Sequence, residues 1–152
     1  MNMFKGYIPS NGKTPLLEIK NSDNWLDSPP KEGDYVGVLR DDIIQLDFDN
    51  EEDTKIALQI VDDYKLRCNV LKTTRGVHLY FINDNVRSQS VDIFNTIGLS
   101  CDIGLGSKWR VVPLRTTKRY QHRKIVNGIE VIEDDEIVND REWLQTFDEL
   151  EV

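Results

Sequence analysis

The stretch Ile43-Ile44-Gln45-Leu46-Asp47-Phe48-Asp49 leaves its backbone little choice. Ile44, Leu46 and Phe48 alternate with Gln45, Asp47 and Asp49, and that period of two becomes one apolar and one polar face only on an extended strand. Asp47 and Asp49 then project the same way. Asp is a poor strand former, and two like charges held side by side repel unless a cation lies between them. Oxygen donors at this spacing suit a hard ion such as Mg²⁺ or Mn²⁺, which keeps several waters and shares its other positions with phosphate. The plainer alternative is that Asp49-Asn50 ends a strand and caps the helix that follows.

Around this strand the chain of 152 residues reads as a single α+β domain, mostly an antiparallel sheet with packed helices. Residues 1–32 hold Gly6, Pro9, Gly12, Pro15, Pro29 and Pro30 and are expected to form an irregular N-terminal segment with a helical turn near Trp25, anchored by Trp25 and Leu26. Residues 33–132 are expected to be the core, and 133–152 an acidic C-terminal helix, clearest over Asp140–Leu150 with Trp143, Leu144 and Phe147 inward. Tyr35–Leu39 and Ile43–Phe48 read as a hairpin through Arg40-Asp41-Asp42. Glu51–Lys65 is the clearest helix, with acids in its first turn and Ile56, Ala57, Ile60, Val61 and Tyr64 at helical spacing. Two strands flank the turn Thr73-Thr74-Arg75-Gly76. A short helix is expected at Val91–Ile97, and strands at Leu99–Ile103 and Trp109–Leu114, separated by Gly104-Leu105-Gly106-Ser107. Asn127-Gly128 sets a further hairpin within Lys124–Ile132.

Neither a signal peptide nor a membrane span is expected, and Cys68 and Cys101 form no metal-finger spacing, so the expected setting is cytoplasmic. A net charge of −8 argues against nucleic acid until its distribution is considered. Between Asp102 and Glu130 there is no acid, while Lys108, Arg110, Arg115, Lys118, Arg119, Arg123 and Lys124 all fall there. Acids dominate from Glu130 onward. A solvated charged face is the plainer account of Lys118, Arg119, Arg123 and Lys124; a cationic track for triphosphate and DNA is the sharper one.

Two more features join the aspartates. In Lys72-Thr73-Thr74-Arg75-Gly76-Val77-His78, hydroxyls, a glycine turn and a forked donor precede a histidine on a strand, a set that suits phosphate oxygens. A hairpin turn followed by a structural histidine is the alternative. Cys101-Asp102 ends an apolar run, where Asp102 supplies a third carboxylate or simply starts the Asp-Ile-Gly turn.

Taken in order, these motifs resemble the archaeo-eukaryotic primase superfamily. Ile43–Asp49 is similar to its hydrophobic-Asp-hydrophobic-Asp signature, Thr74–His78 to its small-x-His motif in an Arg-Gly-Val-His form, and Ser100-Cys101-Asp102 to its third motif; the likeness runs over roughly 25–115. Trp25–Asp49 also resembles the lead-in of the prim-pol branch of phages and plasmids. The resemblance implies an RRM-like palm core that makes or extends DNA primers from nucleoside triphosphates with two Mg²⁺ or Mn²⁺ ions. It makes Asp47, Asp49 and Asp102 the metal ligands and catalytic residues. Thr73, Thr74, Arg75 and His78 would hold the nucleotide, with Lys108, Arg110 and Arg115 as further nucleotide-binding cations and Lys118, Arg119, Arg123 and Lys124 toward DNA. The partners implied are a single-stranded template or primer–template and a replicative helicase, fused or separate.

The sequence departs from that pattern in two respects. Thr73, Thr74 and Gly76 share the place of the usual small residue, and there are too few cysteines for a zinc stem. The rival readings are a non-catalytic RRM-like nucleic-acid-binding module, which would show stacking aromatics on exposed strand positions, and a metal-dependent nuclease. A rolling-circle endonuclease would need a His-x-His pair, whereas the only histidines are His78 and His122.

Overall fold

The computed structural model describes residues 3–73, 75–84, 86–87, 101–115, 121–126, 129–133 and 144–147. They form two antiparallel sheets and one long helix. In chain order the elements are β1 (Phe4–Asn11), β2 (Thr14–Pro15), β3 (Tyr35–Leu39), β4 (Ile43–Phe48), α1 (Glu51–Asp63), β5 (Asn69–Lys72), β6 (Val77–Ile82), β7 (Asp102–Leu105), β8 (Val111–Arg115), β9 (Gln121–Val126) and β10 (Ile129–Glu133). The smaller sheet runs β2-β1-β3-β8 and the larger β10-β9-β5-β6-β4-β7.

The alternation of β4 places Ile44, Leu46 and Phe48 on one face, where they meet Val77, Leu79 and Phe81 of β6 and Ile103 and Leu105 of β7. Ala57 and Val61 of α1 close that core. The helix starts at Asn50, whose side chain accepts the Asp53 N–H, and Glu51, Glu52 and Asp53 sit favourably at the positive end of its dipole. Its buried stripe is narrower than the spacing suggests: Ile56 and Tyr64 are exposed, and Thr54, Ala57 and Val61 face inward. Since β4 and β5 both run antiparallel to β6, they are parallel to each other, with α1 as the crossover and β6 inserted between them.

The opposite face of the larger sheet meets the smaller one. Ile43, Leu71 and Tyr80 are buried there with Met3, Phe4, Tyr7, Tyr35, Leu39, Val112 and Leu114. This arrangement corrects two expectations. β3 and β4 are not a hairpin, because the turn at Arg40 hands the chain from one sheet to the other, with β3 pairing β1 and β8 while β4 pairs β6 and β7. Nor is the N-terminal segment irregular throughout. β1 is an interior strand, buried on both faces, whose Gly6 and Pro9 hide its alternation. The helical turn near Trp25 is present at Ser22–Asn24, and Trp25 packs beside Ile8, Val36 and Val38.

Gly104 and Leu105 belong to β7 rather than to a loop, and the chain turns at Gly106–Lys108. β9 and β10 pair antiparallel with Val126 opposite Ile129, the register expected of a hairpin, while Asn127 and Gly128 lie outside the described residues. At the C-terminal end, Leu144 is buried and Phe147 stacks near Phe81, as expected. The backbone between them is not helical: Thr146 bridges Ile82, and Gln145 bonds to Arg67 and Ile82. The end of β6 beyond its pairing with β5 offers backbone groups that compete with a helix at that point. The helix expected at Val91–Ile97 lies outside the described residues.

Gly76 shows how tightly β6 begins against β4. A methyl group there would run into the carbonyl oxygen of Phe48, which is backbone and cannot swing away. Gly76→Ala should therefore destabilise the domain by about 1–3 kcal/mol, read as a lower urea midpoint at unchanged slope.

Candidate functional site

The polar face of β4 is the centre of the site. Asp47 stands opposite His78 of β6 on one side and opposite Asp102 of β7 on the other, so the three residues form one row across adjacent strands. Neighbouring strands lie about 4.8 Å apart, close enough for side chains on one face to share a ligand. His78 Nε2 is 3.4 Å from Asp47 Oδ1. Asp49 lies just past the end of β4, where its carboxylate meets Arg75 at 3.5 Å with both side chains largely exposed. Thr73 builds the turn that presents Arg75: its N–H donates to the Gly76 carbonyl and its hydroxyl accepts the Gly76 N–H. Asn50, not Asp49, caps α1, so the plainer reading of that dipeptide holds for one residue and not for the other.

A second row lies one step deeper along the same strands. Tyr80 of β6 faces Gln45 of β4, which faces Gly104 of β7. The buried Tyr80 hydroxyl donates to Gln45 Oε1 at 2.8 Å, and His78 Nδ1 lies 3.0 Å from the same hydroxyl oxygen. Neither Gln45 nor Tyr80 was singled out as a site residue from sequence. The available signal was their place two residues from Asp47 and His78, which puts them on the same face.

Arg110 completes the floor. Trp109 adopts a left-handed conformation (φ 62°, ψ 34°) at the end of the turn before β8, and the Arg110 guanidinium lies against Gly104, in the space a side chain would fill. Arg110 Nε is buried without a hydrogen-bond partner. A cation with an unused donor is suited to an anionic oxygen. Burial alone would raise the Asp47 pKa. The His78 hydrogen bond and charge, then Arg110 and Lys13, overcome that effect and hold the carboxyl below its ordinary value. Lys13 lies in the turn between β1 and β2, and no local pattern in the sequence ties it to Asp47.

The remaining basic block is dispersed. Lys108 is exposed in the turn after β7. Arg115 ends β8 opposite Tyr35, and Arg123 and Lys124 lie on β9, separated from β4 by β5 and β6. Thr74, Lys118 and Arg119 lie outside the described residues. Among the described residues, no three His, Cys, Asp or Glu side chains gather closely enough to hold a metal ion, and no helix is long and apolar enough to cross a membrane. The donor chemistry of Asp47 and Asp102 nevertheless fits a hard divalent cation: two carboxylates, adjacent on one face, with the charges of Arg110 and Lys13 acting on Asp47. No family model matches the chain, and neither a curated protein nor a solved structure matches it.

The lowered Asp47 pKa has a definite sign in stability. A carboxyl more acidic in the folded than in the unfolded state stabilises fully above the ordinary carboxylate range, and that contribution is lost as pH falls through the folded value. The melting temperature of wild type should therefore exceed that of Asp47→Asn by its full margin at neutral pH and throughout the region above the ordinary carboxylate range. The gap should narrow as the pH is lowered below the carboxylate range. Because Asp47 is one-third exposed (34%), solvent screening keeps the effect modest.

Proposed function

We propose that this protein is a divalent-metal-dependent nucleotidyltransferase that makes or extends DNA primers, with an RRM-like palm of the primase-polymerase type. The observation that carries this reading is the row Asp102–Asp47–His78 across three adjacent strands, brought together from distant parts of the sequence. Its support from the fold is the strand order β5-β6-β4-β7 with α1 crossing from β4 to β5, which leaves the polar face of β4 on the side away from the helix. A stacking module is less well supported. The strand aromatics Phe48, Tyr80 and Phe81 are all buried, so none of them offers a ring to a base.

In this reading Asp47 and Asp102 would hold the divalent cation, with Asp49 joining them on leaving Arg75. When bound, the ion would acidify the attacking hydroxyl and neutralise charge on the reacting phosphate. The protein's own groups position the substrate. Arg75, Arg110 and Lys13 offer charge to the triphosphate, and His78 flanks Asp47 on the side away from Asp102. The 3′-hydroxyl oxygen forms the new bond to the α-phosphorus as the bond to pyrophosphate breaks. The substrates are then a nucleoside triphosphate and a single-stranded template or primer–template, with a helicase, fused or separate, to open the duplex.

Extension of a labelled primer–template tests this directly. Wild type with Mg²⁺ or Mn²⁺ should lengthen the primer. Asp47→Ala and Asp102→Ala should each lower the rate by about 100-fold or more, with the folded state intact by circular dichroism. Shortening of the primer would establish a nuclease instead.

A further inference from the structure

The crowded glycines of this fold are crowded by different things. At Gly76 and Gly106 an added methyl group would strike a backbone carbonyl, that of Phe48 and that of Arg40, and at Gly6 and Gly37 it would strike the packed side chains of Trp25 and Phe4. Gly104 differs. The nearest atoms to a methyl group there all belong to the Arg110 guanidinium, with Nη2 2.7 Å and Cζ 2.8 Å away. No backbone need accounts for this glycine, because its φ is not positive and it pairs with Gln45 inside β7. A glycine within a strand marks the close approach of another group, and here that group is a cation.

The guanidinium arrives from the other sheet. The Arg110 carbonyl accepts the Leu39 N–H of β3, so its backbone belongs with the smaller sheet while its side chain rests on the larger one. Trp109 makes the handover at φ 62°, a conformation that a bulky residue keeps only where its surroundings fix it. Lys5 Nζ lies 4.7 Å from the centre of the Trp109 ring and helps to hold it. Gly104 is two residues from Asp102 on β7, so the guanidinium lies on the face that carries Asp102 and Asp47. Its charge acts on Asp47, and its Nε is buried with no hydrogen-bond partner.

We infer that Gly104 is a positioning residue: the missing side chain on β7 is a seat that fixes the Arg110 fork beside the carboxylates as the anchor for a phosphate chain. A guanidinium already fixed there loses little freedom when the anion arrives, and its planar fork matches two phosphate oxygens at once. Any side chain at position 104 displaces it. That the anion is the triphosphate of a nucleotide rests on the function proposed above; the seat itself does not.

Binding of sodium triphosphate to the full chain, followed by calorimetry with and without Mg²⁺, tests the seat through a double-mutant cycle. Gly104→Ala and Arg110→Ala should each weaken binding about 10-fold. The double variant should bind no more weakly than either, because both changes remove one contact. Arg110→Met, which keeps the aliphatic stem, takes the place of Arg110→Ala in the cycle if the alanine variant does not fold. Additive losses, unchanged binding in Gly104→Ala, or no binding by wild type in either condition would overturn the inference. Gly104→Ala should also melt close to wild type, since the end of a flexible side chain is all that must move. A Gly104→Ala chain that cannot fold would group this glycine with Gly76 and Gly106, and the seat would be refuted. A cycle that behaves as expected in a protein that extends no primer would remove the proposed function and keep the seat; primer extension alongside additive losses would do the reverse.

Discussion

Register on β4 is the constraint from which the rest follows. Its apolar side, Ile44, Leu46 and Phe48, is committed to the core under α1, so its polar side has no freedom to slide against β6 or β7. A shift of one residue in either pairing would push Asp47 into that core and bring Leu46 or Phe48 out, burying an unpaired charge while exposing apolar surface. The packing beneath the sheet thereby aligns the chemistry above it. Asp47, His78 and Asp102, each at least 24 positions from the next, share one row because hydrophobic side chains on the other face of the sheet fix the strands.

The second sheet does different work. It buries the lower half of the polar face, where Leu71 and Tyr80 meet Tyr35, Phe4 and Leu114, and leaves the upper half, with Asp47 and Asp102, accessible. Polarity therefore changes along β4 from Ile43 through buried Gln45 to half-exposed Asp47 and exposed Asp49. At the boundary a buried amide and phenol need partners, and they find each other and His78. The site is built at the depth where water stops and satisfied hydrogen bonds must take its place.

How much of this was legible in the sequence depends on which physical signal each element carries. β4, α1 and the β5–β6 pair were legible because their periodicities are local, and the face shared by Asp47 and Asp49 followed from alternation alone. β1 was not, since an interior strand flanked by two apolar layers has no polar alternation to display, and Gly6 and Pro9 suggest a loop. The separation of β3 from β4 was equally hidden. The turn Arg40-Asp41-Asp42 is compatible with a hairpin, and only the competing partners β1 and β8 on one side and β6 and β7 on the other reveal a crossing between sheets. The site followed the same rule: carboxylates and histidine were readable as motifs, whereas Lys13 and the resting place of Arg110 depend on long-range packing.

That packing also reframes the charge balance. A net charge of −8 implies a field that repels nucleic acid at long range, yet binding is decided over about a Debye length, roughly 8 Å at physiological salt. The groups that act on Asp47 are His78, Arg110 and Lys13, and together they hold its carboxyl below the ordinary value despite burial. Part of the basic block sits elsewhere, on β9, beyond β5 and β6. The cations therefore form two groups, one at the carboxylates and one across the sheet.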